Sequence, residues 1–222
     1  MELKFEHVTK IISGETILDD IDFTMKQGRV YGLQGKNGSG KTMIMRAACG
    51  LIRPSSGRVL AGDQVLGKDM DFLPSVGALI ENPGFVPQFT GYQNLKMLAD
   101  IQKRVGKEEI MESLERADLS AAADKKYRKY SLGMKQKLGI AAAIMEHPEV
   151  IILDEPTNAL DEESVKRLYD ILREEKKRKA LIIIASHDKE ELEMLSDEIY
   201  EIESGKIKTH RITKKEGKHE EE

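Results

Sequence analysis

Gly35-Lys36-Asn37-Gly38-Ser39-Gly40-Lys41-Thr42 is the segment from which the rest of this sequence can be interpreted. Two glycines enclose four residues and are followed by Lys and Thr, a pattern typical of loops that bind a polyphosphate. Glycine lets backbone N–H groups approach phosphate oxygens without interference from a Cβ atom. Lys41 can then reach the β- and γ-phosphates, and the Thr42 hydroxyl can bind Mg²⁺. The segment therefore predicts a nucleotide-binding site.

The residues on either side of this segment support that prediction. Residues 29–33 have the composition of a short buried strand, and residues 43–49 have the apolar spacing of a helix. The glycines thus fall in a strand-to-helix turn, where the partial positive charge of the helix N-terminus also attracts phosphate. The alternative is a glycine-rich turn followed by Lys and Thr by chance, and the strand-to-helix context argues against it.

Length and composition restrict the class of protein. The 222 residues suffice for one substantial core with a smaller lobe. The net charge of −4 comes from interspersed acids and bases, without the basic stripe that duplex nucleic acid requires, so we expect no nucleic-acid partner. We also expect no signal peptide and no membrane span, because the longest apolar runs have the length of strands. A single cysteine, Cys49, excludes an intrachain disulfide and favours the cytosol.

Two kinds of strand can be distinguished in the sequence. Residues 3–9 and 17–25 alternate between apolar and polar side chains and are joined by a turn, which predicts an N-terminal antiparallel β layer. Residues 150–153 and 181–184 are continuous apolar runs, typical of parallel strands covered on both faces, and residues 76–80 form another predicted buried strand. We therefore expect an α/β fold with a mainly parallel sheet.

Helical patterns fill most of the segment from about residue 82 to residue 146. Thr90 and Gln93 form a capping box that predicts a helix to about Arg104. Two further predicted helices cover residues 107–117 and 132–145. We expect these helices to form a subdomain inserted into the α/β core.

The rest of the chain completes one predicted domain. Residues 162–177 are predicted to form a helix between the two apolar strands. The domain is expected to cover residues 1–212. Residues 213–222 are charged and almost without apolar side chains, so we expect a disordered tail.

Ionisable side chains follow the two apolar strands, at the edge where open α/β sheets bind ligands. Asp154 and Glu155 end the first strand, so one carboxylate can bind Mg²⁺ while the other accepts a proton from the attacking water. His187 follows the second strand and can contact the γ-phosphate. The alternatives are an acidic turn and a structural histidine, and the phosphate-binding loop in the same chain favours the functional interpretation.

A third polar segment begins the predicted helix after Tyr130. Ser131, Leu132 and Gly133 give this helix a small, polar N-terminus that can attract an anion, although the residues alone favour an ordinary capped helix. Together with the features above, this segment makes the sequence resemble the ATP-binding subunit of ATP-binding-cassette (ABC) transporters. The resemblance covers nearly the whole chain, from residue 3 to about residue 208.

The resemblance implies a role for each motif. Residues 35–42 are similar to the Walker A loop, Asp154 and Glu155 to the Walker B aspartate and the catalytic glutamate, and His187 to the switch histidine. Residues 158–161 are similar to the D-loop. Residues 130–134 resemble the signature segment, which in that family contacts ATP held by the other subunit, so two copies packed head to tail around two ATP molecules are implied.

The site residues expected from the motifs and the resemblance fall into three groups. The expected catalytic residues are Glu155 and His187, and the expected Mg²⁺ ligands are Thr42, Glu81 and Asp154. The expected contacts to ATP are Gly35, Lys36, Asn37, Gly38, Ser39, Gly40, Lys41, Thr42, Met43, Ile12, Ser131, Gly133, Met134 and Asp161.

Three departures from the family pattern are visible. The signature segment reads Tyr-Ser-Leu-Gly-Met instead of the commoner Leu-Ser-Gly-Gly-Gln, and Glu81 replaces the usual glutamine of the Q-loop. Ile12 lies in the region where an aromatic residue usually stacks on adenine. Residues 76–84 and 90–95 resemble the bacitracin- and lantibiotic-type exporters and immunity transporters of bacteria.

These resemblances imply an ATP-hydrolysing subunit that docks on a separate membrane permease and drives export, for example of bacitracin or a lantibiotic. We expect such a subunit to be cytoplasmic and peripheral to the inner face of the cell membrane. Two alternatives are a non-transport cassette protein that acts on DNA or ribosomes and a nucleotide-gated module without turnover. The sequence has no second cassette and no long coiled-coil insert, which argues against the first. Glu155 and His187 argue against the second.

Overall fold

The computed structural model describes residues 1–81 and 84–213, and these form two β-sheets and six α-helices. The strands are β1 (Glu2–Ile12), β2 (Glu15–Lys26), β3 (Val30–Gln34), β4 (Ser56–Ala61), β5 (Gln64–Val65), β6 (Val76–Leu79), β7 (Val150–Asp154), β8 (Leu181–Ser186), β9 (Glu198–Glu203) and β10 (Lys206–Ile212). The helices are α1 (Lys41–Cys49), α2 (Gly91–Gln102), α3 (Lys107–Arg116), α4 (Leu132–Ile144), α5 (Glu162–Lys177) and α6 (Lys189–Leu195).

The larger sheet has six strands in the order β10-β9-β3-β8-β7-β6, and all neighbours except β10 and β9 are parallel. Strands β7 and β8 lie in its centre, and every one of their residues is buried. Their continuous aliphatic side chains pack against both layers that cover the sheet, as the sequence predicts. The carboxyl ends of β3, β7 and β8 therefore meet at one edge, where the phosphate-binding loop begins.

The second sheet is antiparallel and has the order β2-β1-β4-β5. Phe5 on β1 pairs with Phe23 on β2, and their ring centroids lie 4.5 Å apart. Phe23 also contacts Tyr200 on β9, with 5.0 Å between the ring centroids, so aromatic packing joins the two sheets. The predicted N-terminal antiparallel layer is confirmed, and it is wider than expected because β4 pairs with the free edge of β1.

Helices α2, α3 and α4 form the inserted helical subdomain around an apolar cluster of their own, which includes Leu95, Ile110 and Leu138. The predicted capping box of α2 is present, because Thr90 and Gln93 each accept a backbone N–H bond from the other residue. Helix α4 also packs against the sheet. A Cβ atom at Gly77 of β6 would lie 1.7 Å from the Ala143 carbonyl oxygen, so this close approach requires glycine.

The predicted fold class is confirmed, and several predicted elements have nearly the bounds of the observed ones. The helix predicted for residues 162–177 is α5. Strand β6 was predicted to be buried, but Ala78 is exposed because β6 is the outermost strand of its sheet. Helix α6 and strands β9 and β10 are not among the predicted elements. The predicted tail at residues 213–222 lies outside the described residues, apart from Thr213.

Candidate active site

The phosphate-binding loop connects β3 to α1, as the motif predicts. Gly38 and Gly40 adopt left-handed backbone conformations with φ of 78° and 112°, which favour glycine. Gly35 is required for a different reason, because a Cβ atom there would lie 2.5 Å from the Ser39 hydroxyl and from the Ile202 carbonyl oxygen. The loop is thus folded tightly enough for backbone N–H groups to surround a phosphate.

Lys41, the first residue of α1, is buried under this loop. Its ammonium group donates hydrogen bonds to the carbonyl oxygens of Gly35 (2.7 Å) and Lys36 (3.2 Å). The Ser39 hydroxyl is also buried, and among the described residues it has no hydrogen-bond partner. A buried cation and an unpaired hydroxyl in one loop suit an anionic ligand with several oxygens. These observations fit the triphosphate of ATP.

Thr42 and Asp154 bring two hard oxygen ligands together. The Thr42 hydroxyl donates a hydrogen bond of 2.7 Å to Asp154 Oδ2. Strand β7 delivers the carboxylate and the first turn of α1 delivers the hydroxyl, so two regular elements set their separation. Mg²⁺ prefers such ligands and completes its octahedral shell with water and phosphate oxygens. The pair fits a Mg²⁺ site.

Glu155 lies immediately after β7 in a left-handed conformation, with φ of 47°. Its N–H donates to the Ala185 carbonyl oxygen at 2.9 Å, which continues the pairing with β8. One carboxylate oxygen lies 2.8 Å from His187 Nδ1, and the other lies 3.8 Å from Lys41 Nζ. A carboxylate only accepts, so Nδ1 carries the proton in this pair. Glu155 is therefore held between two cationic or donor groups beside the phosphate-binding loop.

Two cavities border the phosphate-binding loop. The first has a volume of about 470 Å³ and is lined by Ile17, residues 37–43, Asp154 and Glu155. The second has a volume of about 500 Å³ and is lined by residues 34–39, His187 and residues 201–204. The two cavities bring the predicted residues of the phosphate-binding loop, including Met43, together with those of β7 and β8.

Ile12, the predicted aliphatic contact to adenine, does not line either cavity. It ends β1 at the turn to β2, where it pairs with Glu15, and 43% of its surface is exposed. Ile17 lines the first cavity instead, and its carbonyl oxygen would lie 3.3 Å from a Cβ atom at Gly40. The contact predicted for Ile12 remains a prediction, and Ile17 is the aliphatic residue that the hairpin places beside the loop.

Glu81 lies in a different environment from the one expected. Its Oε1 is 2.8 Å from Arg46 of α1, and the Glu81 side chain is 59% exposed. Among the described residues, no three His, Cys, Asp or Glu side chains form a group that could hold a metal ion. The predicted contact of Glu81 to Mg²⁺ remains a prediction, and in this structure Glu81 pairs with Arg46 instead of forming such a group with Asp154 and Glu155. The reason is local, since Arg46 offers Glu81 an opposite charge on the neighbouring helix.

The signature segment lies apart from both cavities. Ser131 caps α4 by accepting the Met134 N–H at 3.2 Å, and Leu132 is 68% exposed. A Cβ atom at Gly133 would lie 2.7 Å from the Ala159 carbonyl oxygen, so the segment packs against residues 158–161 of its own chain. None of the residues that line the two cavities belongs to this segment.

Asp161, the last residue of the predicted D-loop, caps α5. Its carboxylate accepts the Ser164 N–H at 2.9 Å, and hydrogen bonding from Ser164 lowers the pKa of Asp161. The predicted contacts of Ser131, Gly133, Met134 and Asp161 to ATP remain predictions, since none of these residues lines either cavity at the phosphate-binding loop.

Gln136 and Glu191 are two further residues of the site that the sequence motifs do not include. Gln136 of α4 donates to the carbonyl oxygens of Glu155 (3.2 Å) and Pro156 (3.1 Å), and so connects the helical subdomain to the segment that carries Glu155. Glu191 of α6 is buried and accepts hydrogen bonds from Thr157 and Ser186. Neither residue has a local sequence signal that marks it as part of the site.

Comparison with known proteins assigns the family. Residues 18–158 match the family model for the ABC transporter domain. The chain belongs to the ABC transporter family. It is an ATP-binding cassette, and the cassettes of this family are ATPases that work as dimers with membrane permease partners. Within residues 1–81 and 84–213, no helix combines the length and apolar character needed to cross a bilayer.

Relatives with curated names show the same family over most of their length. The chain is 46% identical over 203 residues to the ABC transporter ATP-binding protein YybJ of Bacillus subtilis, with 91% of this chain and 93% of YybJ covered. It is 38% identical to the bacitracin transport ATP-binding protein BcrA of Bacillus licheniformis, with 92% of this chain and 68% of BcrA covered. It is 34% identical to the lantibiotic transport ATP-binding protein SrtF of Streptococcus pyogenes, with coverage of 92% and 88%.

Solved structures show the same fold at low sequence identity. An ATP-binding subunit of an ABC transporter superposes with a TM-score of 0.87 at 22% identity, covering 96% of this chain and 90% of that one. A dimeric ATP-binding cassette bound to ADP and Pi superposes with a TM-score of 0.86 at 20% identity, covering 95% and 98%. These matches confirm the predicted α/β cassette fold.

Proposed function

We propose that this cassette binds and hydrolyses ATP with Mg²⁺ in order to drive export through a separate membrane permease. The observation that supports hydrolysis most directly is the position of Glu155, which lies between His187 and Lys41 next to Thr42 and Asp154. Export is supported by the relatives, since BcrA and SrtF are named for bacitracin and lantibiotic transport. A peptide antibiotic of this kind is the proposed cargo.

The residues divide the chemistry between them. Backbone N–H groups of residues 35–42 and the Lys41 ammonium group would bind the β- and γ-phosphates. Thr42 and Asp154 would hold Mg²⁺, which neutralises charge on the phosphate oxygens when it is bound. Glu155 accepts the proton of the attacking water as general base. His187 keeps the Glu155 carboxylate oriented through Nδ1, and its other ring nitrogen would contact the γ-phosphate.

The signature segment supports a working unit of two copies. Ser131, Gly133 and Met134 do not line the cavities at the phosphate-binding loop of their own chain, and Leu132 beside them is exposed. We propose that two copies pack head to tail, so that each segment contacts ATP held by its partner. We further propose that residues 1–212 act as one ATPase domain, held at the inner face of the cell membrane by the permease.

Antibiotic resistance provides the test of this function. The chain and its permease are expressed in a host that lacks both, and growth is measured against bacitracin and against a lantibiotic. We expect protection with the wild-type chain and none with Glu155→Gln, while Glu190→Gln, which alters an exposed acid nearby, protects fully. Protection that is independent of Glu155 would contradict an ATP-driven export role.

Two other outcomes separate the alternatives. Membrane-independent ATPase activity without protection against either antibiotic would favour a different cargo or a non-transport cassette. Binding of MgATP without measurable hydrolysis, in the purified chain and with the permease in nanodiscs, would favour a nucleotide-gated module.

A further inference from the structure

Glu191 lies in the first turn of α6, one turn after His187, and its carboxyl group is buried. Only 6% of its surface is exposed, although it is an acidic residue in the first turn of a helix. A single oxygen, Oε2, accepts two hydrogen bonds, from the Ser186 hydroxyl at 2.7 Å and from the Thr157 hydroxyl at 3.1 Å. The two donors belong to different segments of the chain, 29 positions apart (186 − 157).

Each donor lies beside a group of the proposed catalytic pair. Ser186 ends β8 and immediately precedes His187, and its hydroxyl oxygen also accepts the Asp188 N–H at 3.0 Å. Thr157 follows Glu155 by two residues. The Glu191 carboxylate therefore connects the two segments whose side chains meet at the 2.8 Å contact between His187 and Glu155.

Burial destabilises the charged form of the Glu191 carboxyl group. Burial raises the pKa of Glu191, the hydrogen bonds from Ser186 and Thr157 oppose that rise, and the negative charges of Asp188 and Glu155 add to it. Tyr169 of α5 is another titratable group close to this carboxyl. A well-packed apolar side chain in such a site is often equally stable or more so. A role in holding the two segments together accounts for a carboxylate here.

We propose that Glu191 is a positioning residue for ATP hydrolysis, which fixes the separation of His187 and Glu155 through Ser186 and Thr157. The residue does not itself line either cavity at the phosphate-binding loop. It is expected to affect the chemical step and to leave nucleotide binding unchanged. This inference rests on the roles proposed above for Glu155 and His187.

The test compares steady-state hydrolysis of MgATP by the full-length wild-type chain and by Glu191→Gln, with Glu190→Gln as the matched control. Glutamine keeps one oxygen but loses the charge that strengthens both hydrogen bonds, so we expect kcat to fall roughly ten- to one-hundred-fold. KM for ATP should stay within about twofold. Glu190 is exposed on the same turn, so Glu190→Gln should have the kcat of the wild type.

Ser186→Ala and Thr157→Val keep the proposal testable if Glu191→Gln does not fold. Each removes one donor and should lower kcat about three- to tenfold. Combining Ser186→Ala with Glu191→Gln should lower kcat no further than Glu191→Gln alone, because both changes break the same connection. A merely structural role would instead make the two losses multiply.

Two results would overturn the proposal. The first is a kcat within twofold of the wild type for each of Glu191→Gln, Ser186→Ala and Thr157→Val. The second is a loss of kcat in the double variant that equals the product of the two single losses. Glu155→Gln is measured in parallel. If Glu155→Gln also retains turnover, the proposed catalytic role of Glu155 fails as well. If Glu155→Gln is inactive, only the inference about Glu191 fails.

Discussion

The two halves of the nucleotide site differ in how much of each is assembled within one chain. On the side of the parallel sheet, Glu155 lies 2.8 Å from His187 and 3.8 Å from Lys41, and Asp154 lies 2.7 Å from the Thr42 hydroxyl. On the side of the helical subdomain, the signature segment caps α4 and packs on residues 158–161, apart from the phosphate-binding loop.

This difference indicates which chemistry one chain contains and which it leaves to another chain. The proposed general base and the proposed ligands for phosphate and Mg²⁺ are all positioned within one chain, by β7, β8 and the first turn of α1. The signature segment presents a capped helix N-terminus that does not line either cavity at the phosphate-binding loop. Substitutions on the sheet side should therefore affect chemistry most strongly, and those on the helical side should act through the second copy.

The largest effect is expected for Glu155→Gln. An amide can still hydrogen-bond to water but cannot accept its proton, so turnover should fall about 10²- to 10⁴-fold while ATP binding remains. Turnover is measured by phosphate release, and binding by calorimetry. Because ATP then stays between two chains, the variant should elute as a dimer from a sizing column with MgATP. Unchanged turnover would remove Glu155 from its role, and a monomer under every nucleotide condition would contradict the head-to-tail pair.

Ser131→Ala tests the helical side. We expect turnover about tenfold lower, because the variant loses a polar contact to the partner's ATP, with ATP affinity of the single chain unchanged. It also loses a helix cap, which costs about 1 kcal/mol of stability. Thr90→Ala is the matched control, since Thr90 caps α2 in the same way and is expected to affect only stability. Equal turnover in the two variants would show that Ser131 is no more than a cap.

Much of the structure on both sides of the site could be predicted from local sequence patterns. The apolar runs of β7 and β8, the capping signals of α2 and α4, and the glycine pattern of residues 35–42 are set by neighbouring residues, and each was predicted near its observed position. The elements that local sequence did not predict depend on distant pairing. Strand β9 mixes glutamates with apolar residues, and its place beside β3 depends on pairing across more than 160 positions, for example Tyr31 with Glu198.

The site was predictable to the same extent and for the same reason. Motifs located the phosphate-binding loop, Asp154, Glu155 and His187, because each follows a strand directly. Gln136, Ile17 and Glu191 reach the site only through tertiary packing, and no local pattern marks them. The contact between Glu81 and Arg46 joins residues 35 positions apart, so no local pattern predicts it.

Substitutions at the base-binding end of the site should have smaller effects than Glu155→Gln and Ser131→Ala. The chain lacks an aromatic residue at the predicted adenine contact, so ATP and GTP should bind within about tenfold of each other. Ile17→Ala removes half-buried apolar carbons from the first cavity and should weaken both nucleotides about fivefold. Ile12→Ala is the control, with affinity within twofold of wild type. Binding is measured with fluorescent nucleotide analogues in competition, and a larger loss with Ile12→Ala than with Ile17→Ala would support the predicted contact between Ile12 and adenine.

The smallest expected effect concerns Glu81 and distinguishes a surface ion pair from a metal ligand. Glu81→Gln and Arg46→Gln both break the contact between these residues, but only the first removes the carboxylate. If Glu81 leaves Arg46 to bind Mg²⁺ when nucleotide is present, Arg46→Gln should lower the Mg²⁺ concentration for half-maximal hydrolysis by up to about fivefold, since an exposed ion pair contributes up to about 1 kcal/mol. Glu81→Gln should raise the Mg²⁺ concentration for half-maximal hydrolysis.

The measurement is the ATPase rate against free Mg²⁺ for the wild type and the two variants, each with and without the permease in nanodiscs. Nucleotide affinity without metal should be equal or better in Glu81→Gln, because one negative charge is removed from the region of the γ-phosphate. Superimposable Mg²⁺ curves and unchanged stimulation by the permease would leave Glu81 as an exposed partner of Arg46. The Mg²⁺ site would then consist of Thr42 and Asp154, and all of its protein ligands would lie on the sheet side.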